Sequence, residues 1–89
     1  MNAIVTVVGK DRVGIISTVC GRLAEQNVNI LDIKQTILQD YFTMVMLVDA
    51  SKSSVPFAQL AELLEAMGKE HCLDVRAQRE DIFDDMHRI

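Results

Sequence analysis

The sequence predicts an α+β fold of the ferredoxin-like type, with strands and helices in the order β-α-β-β-α-β. Two helical stripes of apolar residues are each flanked by strand patterns, and the two middle strand patterns are separated only by a short polar break. This order is a recurring supersecondary pattern that forms a four-stranded antiparallel sheet with two helices on one face. At 89 residues, the chain has room for one small domain.

The first half of the chain supplies a strand, a helix and a second strand. Residues 3–8 are β-branched and apolar at both alternating positions, so we expect a strand that is buried on both faces. Residues 28–38 alternate as a strand, but Ile30 and Leu38 fall on its polar parity, which indicates a bulge or a twist. Between these strands the helical stripe consists of Ile16, Val19, Cys20, Leu23 and Ala24, and residues 26–29 end the helix.

The second half completes the pattern. A strand at 42–49 follows the polar break at 39–41, so the two middle strands form a hairpin. After the loop at 50–56, the second helical stripe consists of Phe57, Leu60, Ala61, Leu64 and Met67, and residues 72–78 alternate as a fourth strand. We place the domain at residues 1–78. We expect 79–89 to form a short amphipathic C-terminal tail helix, with a disordered end as the alternative, because Ile82, Phe83, Met86 and Ile89 recur at helical spacing.

The face of the sheet away from the helices has an apolar centre. We expect the first and third strands to be the inner ones, and both carry apolar residues on both parities. A soluble monomer rarely leaves such a patch bare. We therefore expect a homodimer or higher homo-oligomer, with the tail folded back on its own sheet as the alternative.

Composition argues against several classes of function. The net charge is −4 and the basic residues do not cluster, which weighs against a nucleic acid or an anionic membrane as a partner. No apolar run is long enough to span a bilayer, and the N-terminus lacks a signal-peptide layout, so we expect a cytoplasmic protein. Cys20 and Cys72 are too few for a disulfide framework, and we interpret both as core or near-core thiols.

Residues that carry catalysis or bind metals do not form a convincing set. The dipeptide His71-Cys72 has no third orienting group near it in sequence, and Asp84 and His87 make only a single weak metal-ligand pair. We therefore expect no enzyme activity, no metal and no cofactor.

The most informative stretch is VVGKDRVGIIS at residues 7–17, where a strand turns into a helix. It matches neither a P-loop nor a dinucleotide-binding motif. The start of a helix offers free backbone N–H groups that favour an anion such as a carboxylate, and Gly14 allows a ligand to approach closely. The alternative is that Asp11 is only the helix N-cap. Gly21, inside the helix, indicates either a close partner on that side or a merely suboptimal helix.

Residues 7–35 resemble the N-terminal half of an ACT domain. The turn Asp11-Arg12-Val13-Gly14 is similar to the Asp-Arg-Pro-Gly type of turn in that family, with Val13 in place of proline. Asn29-Ile30, with Asp32 just beyond, is similar to the Asn-Ile segment that enters the second strand. The resemblance extends to about Gln78 and is closest to the stand-alone ACT proteins of bacteria and archaea.

The resemblance implies a non-catalytic regulatory module that binds an amino acid or similar small ligand where two subunits meet, and that regulates a protein partner. Its alternative is a ligand-free interaction or assembly domain. Carried over by position, the ligand-binding residues are Asp11, Arg12, Val13, Gly14 and Ile15, with Asn29, Ile30 and Leu31 of the adjoining copy opposite them.

Overall fold

A computed structural model of the chain describes residues 1–10 and 13–81. It confirms the predicted ferredoxin-like βαββαβ fold, and its four strands form one antiparallel sheet in the order β2-β3-β1-β4. The elements are β1 (Asn2–Lys10), α1 (Ile15–Glu25), β2 (Asn29–Leu38), β3 (Tyr41–Asp49), α2 (Phe57–Glu70) and β4 (Asp74–Arg79). β1 and β3 are the inner strands, as expected. The tail helix was predicted over 79–89; Arg79 is the last residue of β4, and 82–89 lie outside the described part of the chain.

The core lies between the helices and one face of the sheet. Antiparallel register sets Val5 opposite Met46 and Val7 opposite Met44, and all four side chains are fully buried. They form one apolar cluster with the inward-facing residues of α1 and α2, which are Ile15, Val19, Leu23, Leu60, Leu64 and Met67. The stripe predicted for α2 includes all three of its inward-facing residues. In α1 the buried face begins at Ile15, so the prediction of Ile16 and Ala24 in the stripe is wrong, because both are exposed.

β1 is buried on one face only, so the prediction of a strand buried on both faces is wrong for the single chain. Ala3, Val5 and Val7 are fully buried against the helices. The residues between them point to the other face, where Ile4 is only partly buried and Val8 is 38% exposed. Apolar composition on both parities therefore reflects a second face that the helices do not cover.

β2 carries the bulge that its pattern indicated. The register with β3 shifts between Ile30 and Asp32, which sets Ile30 opposite Val48 and Ile33 opposite Met46. Because Val48 and Met46 point to the helices, the bulge turns both isoleucines to the same face of the sheet. β2 is also an edge strand, and every residue from Leu31 to Leu38 is exposed.

Candidate functional site

The turn before α1 is shaped by Gly14. This residue is the N-cap of α1 and has a φ of +93°, in the left-handed region that glycine adopts without a steric penalty. The hydroxyl of Ser17 donates a hydrogen bond to the Gly14 carbonyl oxygen at 3.1 Å. The alternative in which Asp11 is the N-cap is therefore wrong. Asp11 and Arg12 themselves lie outside the described residues.

The first turn of α1 presents backbone donors. The helical ladder begins with the Thr18 N–H donating to the Gly14 carbonyl at 3.0 Å, so the amides of Ile15, Ile16 and Ser17 have no acceptor within the helix. No acidic side chain lies in this first turn. The positive end of the helix dipole is thus available to an anion approaching along the axis.

A cavity of about 220 Å³ lies beside this helix start. Val13, Gly14, Ile15 and Thr18 form one side of it, while His71 and Leu73, from the connection between α2 and β4, form the other. Three of the predicted site residues are therefore brought together around one space. Thr18, one helical turn after Gly14, was not predicted as a site residue. His71 and Leu73 could not be predicted, because their contact with the turn joins segments more than 50 positions apart and leaves no local pattern in the sequence.

The wall opposite the turn is held by the close packing of α2 on β4. The Leu73 N–H donates to the Gly68 carbonyl at 2.7 Å, and the His71 N–H donates to the Met67 carbonyl at 3.2 Å. A methyl group added at Gly68 would lie 2.8 Å from the Leu73 carbonyl oxygen, so only glycine permits this approach. The tight turn fixes His71 and Leu73 at the start of α1.

The remaining predicted residues, Asn29, Ile30 and Leu31, do not reach this cavity within one chain. Asn29 is opposite Asp49, which in turn is opposite Asn2 at the beginning of β1, whereas the turn follows Lys10 at the other end of that strand. The two halves of the predicted site therefore lie at opposite ends of the sheet.

Two larger cavities have a different character. One of about 300 Å³ lies at the far end of the sheet beside Asn29 and Lys52. Another of about 400 Å³ follows the outer edge of β4 beside Glu65 and Lys69 of α2. Neither lies at the start of a helix, whereas the smaller cavity at Gly14 adjoins the free backbone donors of α1.

The cysteines, the metal-ligand residues and the hydropathy add further detail. Cys20 is partly buried, which raises the pKa of its thiol. Cys72 is exposed, so the interpretation of Cys72 as a core or near-core thiol is wrong. Among residues 1–10 and 13–81, no three His, Cys, Asp or Glu side chains are placed to hold a metal ion. Within the same residues, no helix is long and apolar enough to cross a membrane.

Comparison with known proteins identifies the family. The family model for the ACT domain matches residues 2–78. The chain belongs to the ACT domain family. ACT domains are typically regulatory modules that bind small ligands. The βαββαβ fold described above is also that of a solved ACT domain protein which this chain resembles.

Individual relatives of this ACT domain come from bacteria and archaea. It is 54% identical over 89 residues to a UPF0237 protein of Clostridium perfringens, covering 100% of both chains. It is 51% identical over 86 residues to a UPF0237 protein of Methanocaldococcus jannaschii, covering 97% of this chain and 96% of that one. The solved structure of an ACT domain protein from Streptococcus pneumoniae superposes with a TM-score of 0.83 at 42% identity, covering 94% of each chain.

Proposed function

We propose that this ACT domain is a regulatory module that binds an amino acid at the turn before α1, where two copies meet. The observation that carries the proposal is the cavity beside Gly14, which adjoins the free amides at the start of the helix. An amino acid carries a carboxylate, and hydrogen bonds from backbone amides to a carboxylate are stronger than those between neutral groups.

The lining suits the rest of such a ligand. Val13, Ile15 and Leu73 offer apolar contact to a side chain, and Thr18 and His71 add polar groups. In this proposal the carboxylate of Asp11 attracts the ammonium group of the ligand. The ligand is therefore recognised as a zwitterion.

A second copy supplies Asn29, Ile30 and Leu31 if two β2 strands pair at their free edges. A two-fold axis between these edges makes the strands antiparallel, so the beginning of the second copy's β2 comes to the end of the sheet where Lys10 pairs with Tyr41. That is the end at which the turn lies. Exposed Ile33, Ile37 and Leu38 along the edge support such pairing, since an open apolar edge strand favours addition of another strand.

The test is a thermal-shift screen against the common amino acids. A ligand that binds only the native state raises its stability, by about 2.7 kcal/mol at one hundred times its Kd. We expect one or a few chemically related amino acids to raise the melting temperature. Thr18→Leu fills the cavity and should abolish this shift, whereas Thr18→Val, which keeps the branched shape, is the matched control and should retain most of it.

Two outcomes would contradict the proposal. If none of the amino acids shifts the melting temperature, the assembly alternative is favoured. If Thr18→Leu binds the ligand as tightly as the parent protein does, the pocket lies elsewhere. Gly14→Val, the obvious substitution from the sequence, is unsuitable because a β-branched residue at a φ of +93° strains the backbone whether or not a ligand binds there.

A further inference from the structure

α1 and α2 leave a groove between them, on the side of the helices that faces away from the sheet. This interhelical groove encloses about 210 Å³, and its middle is apolar. Leu60, Leu64 and Met67 form its floor and belong to the core. Leu63 is 42% exposed at its rim, and Ala66 is exposed beside it. The short side chain of Ala66 leaves room for an apolar side chain of another molecule to contact Leu63.

A carboxylate lies at each end of the interhelical groove. Glu25 is the last residue of α1, Glu70 is the last residue of α2, and both line the groove. α1 leads from the end of β1 to the start of β2, whereas α2 leads back from the end of β3 to the start of β4, so the helices run in opposite directions. The two carboxylates are therefore separated by the length of the groove. From Leu60, at the Glu25 end, to Glu70 the helix rises about 15 Å.

Both carboxylates lie where a helix disfavours negative charge. The C-terminal end of a helix dipole is negative, so a cation stabilises this end and an anion does not. Glu70 makes no hydrogen bond or ion pair within residues 1–10 and 13–81. Lys69, the basic residue of the same turn, lines the cavity along β4 instead. Glu25 pairs with Arg22 at 3.4 Å, and an exposed pair of this kind contributes little to stability.

We infer that the interhelical groove docks an amphipathic helix of another protein, with a Lys or Arg at each end of its apolar face. Partner helices bind such grooves through apolar residues at i, i+3, i+4 and i+7. Two cations about three helical turns apart on the partner match the separation of Glu25 and Glu70. The interhelical groove shares no lining residue with the cavity beside Gly14 and needs no ligand, so the inference goes beyond the proposed function.

Charge disfavours the two occupants that the chain itself could supply. Residues 81–89 contain three aspartates and one arginine, so the apolar residues of the tail would bring negative charge to a groove with a carboxylate at each end. The helices of a second copy present the same carboxylates, and like charges that face each other oppose association. A basic helix from a different protein has neither disadvantage.

Titration of the isotope-labelled full-length protein with two designed peptides tests the inference. Each peptide has about 18 residues, long enough to form a helix, with leucines at i, i+3, i+4 and i+7 and alanine or glutamine elsewhere. One has a lysine at each end of the leucine face, and the matched peptide has glutamates there. We expect the lysine peptide to shift the amide signals of Leu63, Ala66 and Glu70, and the glutamate peptide to bind at least about tenfold more weakly.

Paired variants locate the contact. Glu70→Lys should weaken binding of the lysine peptide by about tenfold. Glu65→Lys makes the same change of charge on the side of α2 beside β4, and should change the affinity less than about twofold at physiological ionic strength, where distant charges are screened. Leu63→Ala should weaken binding by about fivefold, because apolar contact is lost. Leu38→Ala, at a position that is 70% exposed on β2, should leave the affinity unchanged.

Three results would overturn the inference. In the first, the lysine peptide shifts no amide signal along the interhelical groove, or both peptides bind equally well. In the second, Glu65→Lys weakens binding as much as Glu70→Lys does, which would show attraction by net charge alone. In the third, the lysine peptide binds only after residues 82–89 are removed, since the tail would then be the occupant.

Discussion

Gly68 is a residue at which the local preference for helix and the packing of the fold oppose each other. Alanine is a better helix former than glycine by roughly 1 kcal/mol. At this position, however, a methyl group would lie 2.8 Å from both the Leu73 carbonyl oxygen and a Val75 methyl carbon. We expect Gly68→Ala to destabilise the protein by about 1–3 kcal/mol, measured by chemical denaturation, because overpacking displaces the backbone of β4.

Gly21 provides the matched control for the same substitution. A methyl group added there has no heavy atom within 4 Å among the described residues, so the structure of the single chain gives no close partner that requires glycine. Gly21→Ala should therefore stabilise the protein by about 1 kcal/mol. Equal effects of the two substitutions on stability would contradict this account. They would show that helix propensity, and not the contact of α2 with β4, determines the effect of Gly68→Ala.

Residues near Gly14 show how far a site can be predicted from local sequence. Two glycines that flank three charged residues, at 9–14, indicated the turn. Val13, Gly14 and Ile15 do line a common cavity. The left-handed φ of Gly14 was not predicted, since the sequence pattern is equally compatible with a glycine inside the helix. His71 could not be predicted at all, because its position depends on how α2 packs on β4.

At the scale of an element, β2 also has one feature that its sequence predicts and one that it does not. The pattern indicated a bulge or a twist because Ile30 and Leu38 fell on the polar parity. The register shift returns Ile30 to the core face, whereas Leu38 stays on the open face opposite Tyr41. The exposure of the strand was not predictable from its own residues. It follows from the position of β2 at the edge of the sheet, where neither helix covers its outer half.

The edge of β2 leads to a prediction about ligand binding. Ile37 is 56% exposed, so Ile37→Lys should change the free energy of unfolding by no more than about 0.5 kcal/mol. A lysine on an edge strand opposes addition of another strand, so we expect this variant to lose the edge-paired dimer and, with it, most of the ligand-induced thermal shift. A variant that no longer pairs at this edge and still shows the full shift would place the ligand within one subunit.

At the scale of the whole molecule, the two faces of the sheet and its β2 edge differ. One face packs against the helices and forms the core, and the edge of β2 is exposed. The other face has the apolar centre that led to the expectation of an oligomer. The turn before α1 lies at one end of the sheet and Asn29 lies at the other. Only an assembly of two copies brings both parts of the proposed site to the same ligand.

Amide chemical shifts of the isotope-labelled full-length protein, followed during titration with the amino acid found in the thermal screen, test this account most directly. We predict that the largest changes occur at Val13, Gly14, Ile15, Thr18 and His71, with a second group at Asn29, Ile30 and Leu31. Both groups should follow one binding curve, because one ligand contacts both. Changes confined to another surface, such as the groove beside Glu65 and Lys69, would contradict the assignment of the turn as the ligand site.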